Sequence, residues 1–282
     1  MTAVSIDKLK ARIRNRSKGD STRAQILMRH YGAERFLERL ALSTYRDNFV
    51  LKGGTLIAAK VGLENRSTLD IDTTLKGVTL SEAEVIKLVE AVCAIDLEDG
   101  MTFRVNSVRS IMHESDYPGI RVLMEASLEK VRIPMKIDLS TDDVITPHEI
   151  LFPMPLMFED KTVALLAYNT ETALAEKLET IIARGNVNTR MRDFYDIYML
   201  DVIEGESINY QILKDAFANT SRKRSTDVSD KTVRQVLKEV KESPELLRLW
   251  NKYQQEFHYA EAIEWDMVLS AAEQMLNRIT DK

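Results

Sequence analysis

The sequence predicts an α+β protein, with a mixed N-terminal half and an all-helical C-terminal half divided at about residue 156. Three observations predict it. Apolar residues recur at helical spacing through the first forty-five residues. Between 47 and 141, several short stretches rich in β-branched residues alternate polar and apolar side chains, as half-buried strands do. After Pro147, Pro153 and Pro155 the strand signal almost disappears and helical periodicity takes over.

Taken in order, residues 1–46 form a helical lead-in. An amphipathic helix is expected over 5–18, and Ser21 is the expected N-cap of a second helix carrying Ile26, Leu27, Tyr31, Phe36, Leu37 and Leu40 at helical spacing. The mixed sheet core, 47–141, opens with the apolar run Asn48-Phe49-Val50-Leu51. Lys52-Gly53-Gly54-Thr55 and the apolar stretch Leu56–Ala59 follow, which reads as strand, glycine turn, helix. Residues 67–75 read as a strand, 81–95 as a helix, and 101–112, 119–127 and 131–140 as three further strands. The proline-rich stretch then reads as a connector that closes an N-terminal domain at 156. In the domain 157–282, helices are expected at 170–184, 191–203, 207–219, 230–240, 244–256 and 262–279.

Composition narrows the function classes. With 282 residues, 44% hydrophobic and 29% charged, the chain is long and apolar enough to bury a core and shows no bias toward disorder. A lone cysteine, Cys93, excludes a disulfide framework and a cysteine-based zinc site. His30, His113, His148 and His258 show no metal-ligand spacing. The polar, charged N-terminus argues against a signal peptide, and no apolar run approaches the ~20 residues that span a bilayer. A cytoplasmic protein with no membrane partner is expected. The net charge of −5 hides an uneven distribution, because residues 1–29 hold eight basic side chains against two acidic ones. Smaller basic groups stand at Arg184/Arg190/Arg192 and Arg222-Lys223-Arg224. Local basic groups on an acidic chain suit a phosphate-bearing partner held at a defined surface; a solvated amphipathic helix accounts for the first segment equally well.

Asp70 and Asp72 are the most informative pair. Two positions apart on a strand, they point to the same face. Like charges held so close call for a cation between them, and paired hard oxygens suit magnesium, which keeps open positions for substrate phosphates. A solvated Asp-x-Asp on an edge strand would look the same. Gly53-Gly54 sharpens the reading, since side-chain-free backbone at a helix N-terminus lets a phosphate approach. Thr55 offers a hydroxyl, and Lys52 or Arg66 a charge. The spacing of a Walker loop is absent. Asp138, in the apolar strand Met135–Leu139, is a third carboxylate that can hold a second metal or take a proton from an attacking hydroxyl. Alternatively it caps the turn that follows.

The run Leu51–Thr55 followed by Arg66-Ser67-Thr68-Leu69-Asp70-Ile71-Asp72 resembles the signature of the polymerase-β-like nucleotidyltransferase superfamily. More narrowly, it is similar to the AbiEii/AbiGii toxins of abortive-infection, type IV toxin–antitoxin systems, and to the related MenT toxins. Two more blocks agree, Glu171–Arg184 around Lys177 and Arg190–Leu200 around Asp193 and Asp196. The blocks span roughly 50–200, and the gap from Gly54 to Asp70 is longer than in many superfamily members.

The resemblance implies roles for otherwise ordinary residues. Lys177, on the inward face of its helix with Ala173, Leu174 and Ile181, is implied to reach nucleotide phosphates, where it would otherwise be a snorkelling lysine. Asp193 and Asp196, three apart on one helix, are implied to pair with Lys177 or Arg192 or to hold the nucleotide's sugar. Arg184, Arg190 and Arg192 are implied phosphate or acceptor contacts, with surface ion pairs as the alternative. The implied protein is a toxin that uses Mg2+ and transfers a nucleotide from a nucleoside triphosphate to an acceptor, most specifically the tRNA 3′ end. A cognate antitoxin would be its partner. Transfer to a protein hydroxyl, or nucleotide binding without turnover, are the alternatives.

Overall fold

The computed structural model describes residues 5–112 and 118–280; His113 lies outside them. The chain packs as two compact units. One takes the chain up to Ala59, then Ser67–Asp143 and Ile150–Ala167; the other takes Lys60–Arg66, Val144–Glu149 and everything from Tyr168 onward.

The first unit is built on a seven-stranded sheet. Its strands are β1 (Phe49–Leu51), β2 (Asp70–Leu75), β3 (Met101–Met112), β4 (Pro118–Leu128), β5 (Val131–Thr141), β6 (Ile150–Pro155) and β7 (Thr162–Ala167). Across the sheet they run β3-β4-β5-β2-β1-β7-β6. β2 pairs with β5 in parallel and with β1 antiparallel, so β2 is a central strand. One face of the sheet is apolar, with Ile71, Val122, Met124, Ile137 and Leu139 almost fully buried. Helices α1 (Ile6–Ser17), α2 (Ser21–Leu42) and α4 (Glu82–Cys93) belong to this unit, and α3 (Gly53–Val61) begins in it. On α2, Gly32 lies so close to the sheet that a Cβ there would meet Ile133 Cγ2 at 3.2 Å and Met135 Sδ at 3.3 Å. The absent side chain sets how near the helix approaches. The buried Arg39 guanidinium is held by Asp99 at 2.7 and 3.0 Å and by the carbonyls of Ile95 and Met101, as a charge removed from water requires.

Most expected elements are present, with three differences. Asp20, not Ser21, caps α2, its carboxylate accepting from Arg23 N at 3.0 Å. The stretch expected as a connector holds strand β6, and β7 follows where helix alone was expected. Pro153 and Pro155 hid β6, yet this strand lies at the sheet edge and pairs only with β7. A missing N–H costs nothing where no neighbour needs it. Pro153 and Pro155 therefore lie inside the sheet unit, which continues to Ala167, while Pro147 belongs to the helical unit.

The second unit is helical: α5 (Thr170–Arg184), α6 (Met191–Glu204), α7 (Tyr210–Lys223), α8 (Asp230–Glu242), α9 (Pro244–Glu256) and α10 (Trp265–Thr280). Asn169, Asn209, Ser229 and Ser243 cap four of them with side-chain oxygens. Its core is aromatic. Phe194 meets Trp265 edge-on at 5.0 Å, and Trp250 stacks on Tyr253 at 5.4 Å while donating its indole N–H to Ile263 O. Among the described residues, no helix is long and apolar enough to cross a membrane.

Candidate active site

The carboxylates of the sheet unit are assembled by strand register. Asp70 and Asp72 share one face of β2, and the parallel pairing sets Asp72 beside Asp138 and Asp70 beside Lys136. On the next strand Arg121 stands opposite Asp138. These positions are on the face away from the apolar core, since their strand neighbours Ile71, Ile137 and Val122 are buried.

The glycine corner closes over Asp72. β1 ends at Leu51, Lys52 N donates to Asp72 O at 3.0 Å, and α3 starts at Gly53. Gly53 has φ +56°, and a Cβ there would fall 2.7 Å from Asp72 Oδ2. Only glycine fits, on both conformational and steric grounds. Gly54 N–H then donates to Asp72 Oδ2 at 3.0 Å. A helix N-terminus is thus aimed at a carboxylate, the geometry that also favours anionic ligands.

Burial raises the Asp72 pKa, and neighbouring Asp138 and Asp70 raise it further, against the Gly54 N–H and Lys52, which lower it. Asp70 and Asp138 have cationic partners within the sheet. Lys136 Nζ lies 2.6 Å from Asp70 Oδ2 and 3.6 Å from Asp138 Oδ2. Arg121 grips Asp138 with both prongs, Nε at 2.7 Å and Nη2 at 2.8 Å. Asp138 is therefore no isolated buried acid, and in the turn that follows Ser140 and Lys52 engage Asp143.

Two expected phosphate contacts are placed differently. The Thr55 hydroxyl is buried and donates to Asp70 O at 2.6 Å, stapling α3 to β2. Its proton is committed to the fold. Arg66 belongs to the helical unit, where its buried guanidinium grips Asp196 at 2.7 and 3.3 Å. It is a counter-ion there.

In the helical unit, α5 and α6 build an alternating chain of charges. Lys177 Nζ lies 2.7 Å from Asp193 Oδ1 and 2.8 Å from Asp196 Oδ2. Arg66 takes the other side of Asp196, and Arg190 Nε takes Asp193 Oδ2 at 2.8 Å. Burial alone would raise the Asp196 pKa, but Arg66 and Lys177 outweigh it and hold it down to about 2. Burial alone would lower the Lys177 pKa, and Asp193 and Asp196 raise it instead. Lys177 faces inward, and two carboxylates take two of its three donors. Arg192 lies over the Phe257 ring at 5.0 Å, so it is not the partner of either aspartate.

A divalent metal is the cofactor this chemistry calls for. Among the described residues no three His, Cys, Asp or Glu side chains form a ready-made cage, so the expected three-carboxylate set does not converge as one. The donors nonetheless fit. Magnesium is commonly held by one or two carboxylates with substrate phosphates completing its shell. Asp70 and Asp72 share a face, and the Lys136 ammonium at 2.6 Å marks Asp70 as a place where positive charge is stabilised.

Lys136 and Arg121 were missed by sequence reasoning. Lys136 had a signal, since it lies two residues before Asp138 on one strand and so shares its face. Arg121 had none, because only the β4–β5 register brings it to Asp138.

A central Asp-x-Asp strand beside a strand–Gly-Gly–helix corner is the build of a nucleotidyltransferase, and a solved structure agrees on the fold. MenT4, a nucleotidyltransferase toxin of Mycobacterium tuberculosis, aligns over 96% of this chain and 98% of its own with TM-score 0.60 and 13% identity. The JHP933 protein of Helicobacter pylori aligns over 90% of this chain and 93% of its own, with TM-score 0.49 and 19% identity. No curated protein matches the chain. Residues 35–271 match the family described as nucleotidyl transferase AbiEii toxin, type IV TA system, and the chain belongs to that family.

Proposed function

We propose that this toxin is a Mg2+-dependent nucleotidyltransferase that moves a nucleotide from a nucleoside triphosphate to the 3′ end of tRNA. Family membership supports nucleotidyl transfer, a toxin role and an antitoxin partner; donor, metal and acceptor are our reading. The observation that carries it is the Gly53–Gly54 corner, whose N–H is aimed at the Asp72 carboxylate across a gap too narrow for any side chain.

Asp70 and Asp72, with Asp138 beside them, would hold the metal, which supplies Lewis-acid neutralisation of phosphate charge. The backbone at Gly53 and Gly54 lets the triphosphate approach the start of α3. Lys52 and Lys136 contribute positive charge beside it. Asp138, oriented by Arg121, accepts the proton of the attacking hydroxyl. A bond forms from the acceptor oxygen to the α-phosphorus, the bond to the β-phosphate bridge breaks, and pyrophosphate leaves. Within the helical unit, Asp193 and Asp196 orient Lys177 and leave it one donor, which we read as an anion contact there. Most of the rate enhancement in such chemistry comes from positioning and from stabilising spreading negative charge.

The test incubates purified protein with total RNA, magnesium and each of four α-labelled nucleoside triphosphates, beside Asp72→Ala and Lys177→Ala. Label in the tRNA band from one nucleotide, lost in both variants, is the expected result. Absence of label from every RNA would refute the reading, and label on protein would replace it.

A further inference from the structure

Every charged side chain of β3, β4 and β5 falls on one face of the sheet, the face of Asp72 and Asp138. The register dictates this: Arg104 opposes Glu125, Arg109 opposes Arg121, and Arg121 opposes Asp138. Their strand neighbours Val122, Met124, Ile137 and Leu139 fill the opposite, buried face. Five of the charged residues are basic (Arg104, Arg109, Arg121, Arg132 and Lys136) against Glu125 and Asp138.

These charges are only partly compensated. Arg121 and Lys136 are drawn to the carboxylates. Arg104 and Arg132, with side chains 74% and 63% exposed, share the single Glu125 at 3.8 Å each. Exposed pairs of that length contribute little. Arg109 is exposed, directly opposes another guanidinium, and has no anionic partner among the described residues. Like charges directly across two strands are unfavourable, so the arrangement stores attraction for an anion. The patch is continuous with the carboxylates: β3 to β2 is three strand spacings, ~14 Å, and Arg104 to Arg109 is ~16 Å along the strand.

Several of the other basic side chains are occupied, while Lys8, Lys10 and Arg14 on α1 are exposed. Arg12 and Arg16 donate to the carbonyls of Phe158 and Met157 at 3.4 and 3.1 Å. Arg224 is held by Glu176 and Glu179 at 3.0 and 2.6 Å.

We propose that the open face of β3–β5 is the docking surface for the sugar–phosphate backbone of the RNA acceptor, along which its 3′ end is led to the carboxylates. This rests on the nucleotidyl-transfer reading above. Phosphate contacts position a strand without reading its sequence, so the face would serve RNAs of differing sequence alike.

The experiment titrates the full chain into fluorescein-labelled tRNA in EDTA across a range of KCl concentrations and follows anisotropy. The triple variant R104Q/R109Q/R132Q leaves Arg121 and Lys136 in place. It should bind at least tenfold more weakly at ~0.1 M salt, and the slope of log affinity against log salt should shrink by about 2 to 3, since each phosphate contact contributes ~0.7 to 0.9. The charge-preserving triple R104K/R109K/R132K should keep most of the slope, and nucleotide binding by the glutamine triple should stay within about twofold. Unchanged affinity and slope in the glutamine triple, from a protein that labels tRNA, would overturn this surface alone. So would loss of binding in K8Q/K10Q/R14Q on α1 instead. A wild-type chain that labels protein and binds tRNA without salt dependence would overturn both this surface and the RNA acceptor.

Discussion

Asp196 offers the sharpest test of how the helical unit is held together. Its carboxylate is fully buried between Arg66 and Lys177, and its pKa is lowered to about 2 from the ordinary 3.8. A depressed carboxylate contributes stability above its unfolded-state pKa and loses it as pH falls through the folded value. The window is therefore from about pH 5 down to about pH 2, and the stabilisation lost across it is about 2–3 kcal/mol. Asp196→Asn removes that dependence and leaves two buried cations short of a partner, a loss of about 3–5 kcal/mol at pH 7. The gap between wild type and variant should then narrow by about 2 kcal/mol at pH 2.5. Both tryptophans, Trp250 and Trp265, lie in the helical unit, so urea unfolding followed by tryptophan emission reports that unit. Parallel stability curves for the two proteins between pH 5 and 2.5 would refute the argument, because the ion chain would then be absent.

Two further predictions concern the sheet. Gly53→Ala places a Cβ 2.7 Å from Asp72 Oδ2 at a left-handed φ. It should cost about 1–2 kcal/mol in backbone strain alone and reduce nucleotide transfer at least a hundredfold, read from urea midpoints and labelled-nucleotide transfer; transfer within about threefold of wild type would contradict the corner's role. Asp72→Asn removes a carboxylate whose pKa is raised by burial and by Asp138 and Asp70. A raised carboxylate favours the fold below its unfolded pKa and loses that contribution as pH climbs through the folded value, so the ionised group is a burden at neutral pH. The variant should melt at a higher temperature than wild type at pH 7 while losing transfer, and the advantage should fade toward pH 4. A lower melting temperature at pH 7 would reverse that sign.

Much of this architecture is legible in local sequence because its causes are local. Helical spacing of apolar residues, capping Asn and Ser, and the alternation in 131–140 each act within a few residues. The Gly53-Gly54 and Asp70-x-Asp72 motifs are legible for the same reason, since a tight turn and a shared strand face are set by immediate neighbours. Lys177, Asp193 and Asp196 are ordinary by spacing and are marked only by the family resemblance, which includes their mutual pairing among its implications.

What only the tertiary structure decided is which distant residues meet. Arg121 finds Asp138 through a strand register that no short motif specifies. Arg66, seemingly placed to serve a phosphate beside Asp70, is instead the buried counter-ion of Asp196, 130 residues away. The Thr55 hydroxyl is consumed by Asp70 O, a bond visible only once α3 and β2 are packed. β6 survives its prolines because it is an edge, a property of the whole sheet. The basic face of β3–β5 is the same kind of fact. Its five cations are scattered over some thirty residues in no recognisable run, and become one surface because strand periodicity and antiparallel register stack them on one side. Local sequence determined the elements and their motifs, whereas charge neighbourhoods came from long-range pairing, because electrostatic partners are chosen by distance in space and not along the chain.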